Sequence, residues 1–539
     1  MDRAILGRQR VALGIASVRQ EHFSSLRVWA MMFGSPNRME SVEEVESFGL
    51  RRVLHGVARL SGAYVLNGIL GILFIPLALH KLGEVGYAVL SVYAFTLSYL
   101  VLCELGVGKN LLREIAAAQD ESSRLGHLHR ALSAYMVIGC FVVTATPIAA
   151  WVLPRWVIPF APSLRAEVGL VVGLAVADYL LGIIVALHNS EAMARGRVAN
   201  YARFQAFSGL LRYGGGIAVL LFVPAPSAVL VCTAFAGRRL IEIPLAMLVL
   251  GRLPLGAWRA WKPSFRVTKT LSSSASLSLA QLLQTSMISV GNVLISHSAG
   301  PAALGVFRSS FDLATKIWFM SGAFGLVLFP RFARLQVTEA GRRVLASVLP
   351  AALRLSAAFL ALMGVLGMLL ASSVLPLLGL RGDLAVMMFV LSLGGATLFA
   401  QATAPFELLL AKGWFFKAAV RSAIGLMALY VVFIGLSGLS PLVALGWAWL
   451  ASQAVYAASC RQAIDGLLHE KGVRRWRWPS DELLTGCVLG AAAYAILSGS
   501  VPVAGFWALV SVILMSVILL RGIPALATMR AELRTGRAS

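Results

Sequence analysis

The amino-acid sequence predicts an all-α polytopic membrane protein with about fourteen transmembrane helices, and three observations support this fold class. First, 58% of the 539 residues are hydrophobic and only 13% are charged, whereas a water-soluble domain is about half apolar and one-quarter charged. Second, apolar runs long enough to cross the roughly 30 Å hydrocarbon layer recur along the chain. Third, lysines and arginines cluster in the short polar stretches between these runs, as in membrane-protein loops.

The apolar runs divide the chain into two long blocks and one short block. A basic segment at 1–56 precedes a first block of six spans within 57–250, and a basic linker at 251–275 leads to a second block of six within 276–460. A basic loop at 461–481, two more spans within 482–520 and a tail at 521–539 complete the chain. The spans are predicted near residues 57–79, 85–107, 130–153, 166–187, 204–223, 226–250, 276–296, 310–330, 350–377, 383–411, 415–437, 441–460, 482–499 and 502–520.

The distribution of positive charge predicts the orientation. The chain has 47 lysines and arginines and a net charge of +23. When alternate loops are assigned to opposite sides, the side opposite the termini receives only Lys81, Arg155, Arg165, Arg308 and Arg381. Because cytoplasmic loops are enriched in Lys and Arg, both termini are predicted to lie on the cytoplasmic side of a bacterial inner membrane. Residues 1–38 contain no apolar run of signal-peptide length, so they form a cytoplasmic arm or the chain starts at Met39.

The same patterns argue against several other classes of protein. Basic residues are scattered among the loops and not gathered on one domain, which disfavours nucleic-acid binding. The five cysteines form no CxxC pair and fall in or beside apolar runs, so no metal site is expected. The sequence contains neither GxxxxGK(S/T) nor HExxH, and the predicted outer loops are too short for a soluble catalytic site. We therefore predict no enzyme activity and no cofactor.

An internal repeat predicts how the spans are arranged. Aligning the sequence with itself places Gly86, Ser91 and Gly106 over Gly305, Ser310 and Gly325. An even number of predicted spans separates the two copies, so both have the same orientation in the membrane. Such a parallel repeat is related by an axis along the membrane normal. The repeat therefore predicts two pseudo-symmetric six-helix lobes around a central cavity, with two additional C-terminal helices.

The repeated segments resemble a known family of transporters. The segment PLALHKLGEVGYAVLSVYAFTLSYLVLCELGVGKNLLREIA at 76–116 is similar to the signature of bacterial polysaccharide-repeat-unit flippases, and GPAALGVFRSSFDLATKIWFMSGAFGLVLFPRFARL at 300–335 has the same shape. These flippases form a branch of the multidrug/oligosaccharidyl-lipid/polysaccharide (MOP) exporter superfamily. The resemblance implies alternating-access transport of a polyprenyl-diphosphate-linked oligosaccharide for O-antigen, capsule or exopolysaccharide assembly. It also implies contact with membrane lipids and partnership with polysaccharide polymerases or glycosyltransferases.

Two alternatives to this function remain at the level of sequence. A cation-coupled multidrug exporter of the same superfamily would need a net acidic site, whereas the ionisable residues of the first predicted lobe are net basic. A non-transporting scaffold for glycosyltransferases would need no pseudo-symmetric cavity, although a degenerate member of the family could keep the fold without the activity.

Ionisable residues inside the predicted spans are the candidates for substrate binding. Each charge costs about 2.5–3.5 kcal/mol at the bilayer centre on insertion scales, so a retained charge needs a partner or a function. A guanidinium binds phosphate through a planar fork of hydrogen bonds, and we expect at least one of the adjacent Arg238 and Arg239 to face a cavity. The candidate diphosphate ligands are Arg212, Arg238, Arg239 and Lys316, and their candidate charge partners are Asp178, Glu242 and Asp312.

The alternative interpretation is that these charges only neutralise one another. Glu242 follows Arg238 by four residues and Arg239 by three, which suits ion pairs on one helical face. Asp178 is expected to pair with Arg212 across helices, and Asp312 with Lys316. Neutral polar residues on the lobe-leading helices are candidates either for the cavity wall or for helix–helix hydrogen bonds. They are Asn67, Gln281, Gln284 and Asn292.

Overall fold

The computed structural model describes residues 50–104, 106–117, 120–251, 267–318, 359–378 and 382–469, with residues 321, 353, 356, 357 and 380. These residues form helices joined by short turns, and the described ranges contain no β-strand. The predicted N-terminal segment up to residue 49, most of the linker at 251–275 and the two C-terminal spans within 482–520 lie outside the described residues, as do the end of the loop at 461–481 and the tail at 521–539.

The first block of predicted spans contains six α-helices among the described residues. They are α1 (Leu50–Cys103), α2 (Val107–Ala117), α3 (Glu121–Val152), α4 (Arg165–Ala194), α5 (Val198–Phe222) and α6 (Ala228–Val249). Helix α3 begins after Asp120, whose carboxylate accepts a hydrogen bond from the backbone N–H of Ser123 at 3.2 Å. Helix α6 begins after Ser227, whose hydroxyl accepts from the backbone N–H of Leu230 at 3.3 Å. Both are side chains that favour the start of a helix because they satisfy its free N–H groups.

Helix α1 is two helices joined at a sharp turn. Gly83 interrupts it with φ 69° and ψ 177°, a conformation that side chains other than glycine rarely adopt. The apolar part, Arg59–Leu100, is 42 residues long, or about 60 Å at 1.5 Å per residue, which is twice the hydrocarbon thickness. The element therefore accommodates the two predicted spans 57–79 and 85–107.

In the second block, seven α-helices have bounds within the described residues. They are α7 (Val267–Ser298), α8 (Gly300–Ala314), α9 (Phe359–Leu369), α10 (Ala371–Leu377), α11 (Asp383–Ala411), α12 (Phe415–Gly435) and α13 (Pro441–His469). Helix α8 begins ten residues earlier than its predicted span near 310–330. Gly300 makes the preceding turn with φ 82°, and Pro301 in the first turn is already fixed near helical φ. Arg308, which the predicted topology counts among the outer-loop charges, therefore lies within α8.

Seven helical segments among the described residues are long and apolar enough to cross a membrane, so this is a multi-pass membrane protein. They are Arg59–Leu100, Glu121–Val157, Pro162–Ala194, Leu277–Ser298, Asp383–Leu410, Phe415–Gly435 and Pro441–Ile464. Helix α6 is not among them. It carries three ionisable residues in 22, and these are placed among other helices and not toward lipid. The number fourteen, the lobe layout and the orientation remain predictions.

Helix packing brings the site residues together. In the first block, α1 packs against α4, α5 and α6; in the second, α11 and α12 pack against α13, and α7 against α12. The principal contact between the blocks is that of α8 with α1. There, a Cβ built on Gly305 would lie only 2.2 Å from the carbonyl oxygen of Glu84, so the two backbones are in direct contact. The hydroxyl of Tyr87 also donates to Asp312 across this contact at 3.0 Å.

Candidate functional site

Four charged side chains form a buried ion-pair cluster between α4 and α6, made of Asp178, Arg238, Arg239 and Glu242. The guanidinium of Arg238 contacts Asp178 at 3.1 Å and Glu242 at 3.0 Å. The guanidinium of Arg239 also contacts both acids, with 2.7 Å to Glu242. Both carboxylates are fully buried, and Arg238 and Arg239 are 6% and 19% exposed. Two cations meet two anions, so the cluster has no net charge.

The adjacent arginines converge, although neighbouring positions on a helix point about 100° apart. Their side chains are long enough to bend from different sides of α6 onto the same two acids. The cluster is tied to two further helices, because Tyr93 of α1 donates to Asp178 at 2.5 Å and Ser208 of α5 donates to Glu242 at 2.6 Å.

Arg212 of α5 lies beside this cluster without an acidic partner among the described residues. Its guanidinium carbon is 5.4 Å from the ring centre of Phe235 and 5.6 Å from that of Tyr213. Its buried Nε has no hydrogen-bond partner among the described residues. The expected ion pair of Asp178 with Arg212 is not formed, because the carboxylate of Asp178 forms ion pairs with the two arginines of α6. Among the residues that the structure describes, Arg212 is therefore a cation of this region without a compensating acid.

A cavity of about 420 Å³ adjoins the ion-pair cluster inside the first block. Its wall includes Arg212, Arg238 and Arg239, the acidic residue Glu104, and residues of α1 and α4. The carboxylate of Glu104 accepts a hydrogen bond from the hydroxyl of Tyr135 at 3.4 Å. The complete wall is formed by Ala94, Leu97, Ser98, Glu104, Tyr179, Gly182, Val185, Ala186, Asn189, Arg212, Arg238 and Arg239.

Lys316 and Asp312 lie where the two blocks meet and not in this cavity. The ammonium of Lys316 is 5.7 Å from the ring centre of Tyr213, and the guanidinium of Arg212 also lies over this ring. Asp312 pairs with Arg308 at 2.7 Å and accepts from Tyr87 of the other block. These two candidates therefore connect the blocks.

The four neutral polar candidates are absent from the cavity wall. Asn67 donates to the carbonyl of Gln205 at 3.1 Å and lies directly on Gly209 of α5. Gln284 donates to the hydroxyl of Tyr456 at 3.0 Å. Asn292 is buried, with no partner for its amide among the described residues, and Gln281 is partly exposed. For Asn67 and Gln284 the observed contacts are those of helix–helix packing.

Five residues of the site are not indicated by any sequence pattern described above, namely Tyr93, Ser208, Glu104, Tyr179 and Asn189. Tyr93 and Ser208 hold the acids of the cluster, and the other three belong to the cavity wall. Tyrosine and serine are common in membrane helices, so their presence alone carried no signal. Glu104, however, is an acidic residue near the end of a predicted span, and an acidic residue at such a position indicates a functional site.

Comparison with known proteins identifies the fold. No protein-family model and no curated protein matches the chain in sequence. Solved structures do match. An inward-facing multidrug-resistance MATE family transporter of the MOP superfamily aligns with a TM-score of 0.54 and 17% identity, over 77% of this chain and 96% of that one. A MATE in the straight conformation aligns with a TM-score of 0.51 and 17% identity, over 77% of this chain and 97% of that one. The Vibrio cholerae MATE transporter VcmN in the bent form aligns with a TM-score of 0.51 and 15% identity, over 77% of this chain and 98% of that one. The described residues are thus helical, and the chain is a membrane protein with the fold of the MATE transporters.

Proposed function

We propose that this protein is an inner-membrane flippase that exports a polyprenyl-diphosphate-linked oligosaccharide unit for surface polysaccharide assembly by alternating access. The observation that carries the proposal is Arg212, a cation without an acidic partner among the described residues, on the wall of a cavity in a transporter fold. Because the adjacent cluster is neutral, the charge of Arg212 is available to an anionic ligand.

A diphosphate suits this position for electrostatic reasons. Opposite charges attract more strongly in a poorly hydrated cavity than in water, and a guanidinium donates two parallel hydrogen bonds to phosphate oxygens without losing its charge. The rings of Phe235 and Tyr213 hold the guanidinium of Arg212 in place. The ligand therefore meets a positioned cation that is already partly desolvated.

Export of cationic drugs by the same fold is the second candidate, and Glu104 is the observation that favours it. Glu104 lies on the wall of the same cavity, and no cationic side chain among the described residues lies within ion-pair distance of it. A cationic drug would be attracted to such a carboxylate. However, the two more deeply buried acids are already neutralised by arginines. Glu104 is therefore the single acid that the described cavity wall offers to a cation, whereas Arg212 lies beside two further guanidinium groups.

The experiment compares Arg212 variants in a strain that lacks the chromosomal gene. Arg212→Ala should abolish surface polysaccharide at unchanged membrane abundance, and Arg212→Lys should restore part of it, because lysine keeps the charge but loses the planar fork. Arg155→Ala is the matched control, since Arg155 lies over the Trp151 ring at 4.9 Å outside the cavity. Normal polysaccharide in Arg212→Ala would contradict the proposal. Loss of drug export in Glu104→Gln, with normal polysaccharide in Arg212→Ala, would support the second candidate.

A further inference from the structure

The cavity wall contains two chemically different sets of residues. One set is cationic and consists of Arg212 with the neutralised arginines of α6. The other set is neutral or acidic and consists of Ser98, Glu104, Tyr179 and Asn189. A bare phosphate would satisfy only the first set, so the second set carries information about the rest of the ligand.

Two polar groups of the second set are buried and lack hydrogen-bond partners among the described residues. They are the hydroxyl of Tyr179, a residue only 4% exposed, and the side-chain oxygen of Asn189. Glu104 has further capacity, because a carboxylate accepts about four hydrogen bonds and Tyr135 supplies one. An unsatisfied polar group in the interior is unfavourable, and acceptors grouped on one wall are matched by a ligand with several hydroxyl or N–H donors.

We propose that this cavity binds a glycosyl phosphate, with the phosphate at Arg212 and the sugar ring against Tyr179, Asn189 and Glu104. The inference rests on the proposed function and extends it, because it assigns the sugar next to the phosphate a binding site of its own. The hydroxyl of Tyr179 donates to or accepts from a sugar hydroxyl, while Asn189 and Glu104 accept from sugar O–H or N–H groups.

The dimensions and the remaining wall suit this ligand. A volume of about 420 Å³ lies within the range of about 300–1,000 Å³ typical of small-molecule sites. Ala94, Leu97 and Val185 supply apolar surface for the C–H groups of a sugar ring. Gly182 keeps the wall open beside Arg239, because a Cβ there would lie 3.1 Å from the guanidinium.

The test measures binding of soluble probes to the purified full-length protein in detergent. The probes are inorganic phosphate, glucose 1-phosphate, galactose 1-phosphate and N-acetylglucosamine 1-phosphate. At least one sugar phosphate should bind more tightly than inorganic phosphate. Tyr179→Phe and Asn189→Leu should each reduce this preference about two- to tenfold, the effect of one net hydrogen bond, without changing the affinity for phosphate. Tyr430→Phe, which removes a hydroxyl outside the cavity, should change neither.

The outcomes separate the sugar site from the proposed function. If every probe binds equally, if no sugar phosphate binds at millimolar concentration, or if the preference survives in both variants, the sugar site is wrong. In those cases, loss of phosphate binding in Arg212→Ala would leave the proposed function standing. If Arg212→Ala binds all probes as tightly as the unchanged protein, the proposed function is wrong instead.

Discussion

Replacing Arg238 by leucine should destabilise the protein by about 3–5 kcal/mol, because it leaves a buried charge uncompensated. Arg238 is 6% exposed and contacts Asp178 at 3.1 Å and Glu242 at 3.0 Å, both fully buried. Without it, two carboxylates share the single guanidinium of Arg239 in a poorly hydrated interior. The cluster then carries a net charge of about −1, which the low local dielectric makes unfavourable.

Replacing Glu242 by leucine at the same time should recover much of this loss. The double variant keeps one cation and one anion, since Arg239 still contacts Asp178, and Tyr93 still donates to that carboxylate. We expect a coupling energy of about 2–3 kcal/mol between Arg238 and Glu242, within the range of contacting pairs. Equilibrium unfolding in mixed micelles with increasing SDS measures the four proteins of the double-mutant cycle.

A more exposed pair provides the control for this cycle. Arg124 and Glu121 form an ion pair in which the two side chains are 14% and 58% exposed, and Arg124 also contacts Glu191 at 3.4 Å. The coupling between Arg124 and Glu121 should therefore be below about 1 kcal/mol. The reasoning about the buried cluster would be refuted if Arg238→Leu were as stable as the unchanged protein. It would also be refuted if the double variant lost the full sum of the two single losses.

Three further predictions concern the contact between blocks, a helix start and the topology. Gly305→Ala should weaken the contact of α8 with α1, because the added Cβ has no room beside a backbone carbonyl. Gly62→Ala, with open space around it, should leave this contact unchanged. The yield of cysteine crosslinking across the contact measures both effects. Hydrogen bonds from Ser122 and Ser123 lower the pKa of Asp120. Hydrogen-exchange protection at the start of α3 should therefore be present above the ordinary pKa of an aspartate and fall as the pH drops through the lowered pKa of Asp120 in the folded protein. This protection should be absent in Asp120→Ala. Cysteines within 251–275 should react with impermeant reagents only from the cytoplasm, and labelling from outside would overturn the predicted orientation.

Much of the helical architecture was predictable because its signals are local. The predicted span 383–411 agrees with α11 (Asp383–Ala411), and 415–437 begins where α12 (Phe415–Gly435) begins. In both places a glycine with positive φ, Gly382 or Gly413, ends the preceding segment. The start of α8 was missed because Gly300 and Pro301 are residues typical of loops, and Arg308 lowers the hydropathy of the helix that follows them.

The candidate site was predictable only in part, for a geometric reason. The pairs of Arg238 and Arg239 with Glu242 lie on one helix, so a spacing of three or four residues indicates them. The choice of Asp178 between Arg212 and the arginines of α6 depends on how α4, α5 and α6 are rotated about their axes, and span positions do not encode that rotation. In the structure, Asp178 pairs with Arg238 and Arg239 of α6. This pairing leaves Arg212 without an acidic partner among the described residues.

The most direct measurement of the central claim is translocation by the purified protein in proteoliposomes. The substrates are a fluorescent polyprenyl-diphosphate-linked sugar and, in parallel, a fluorescent lipophilic cation. Our account predicts that the unchanged protein moves the diphosphate-linked sugar between leaflets, that Arg212→Ala does not, and that Arg155→Ala does. Translocation of the sugar lipid that is unaffected by Arg212→Ala, or transport of the cation alone, would contradict it.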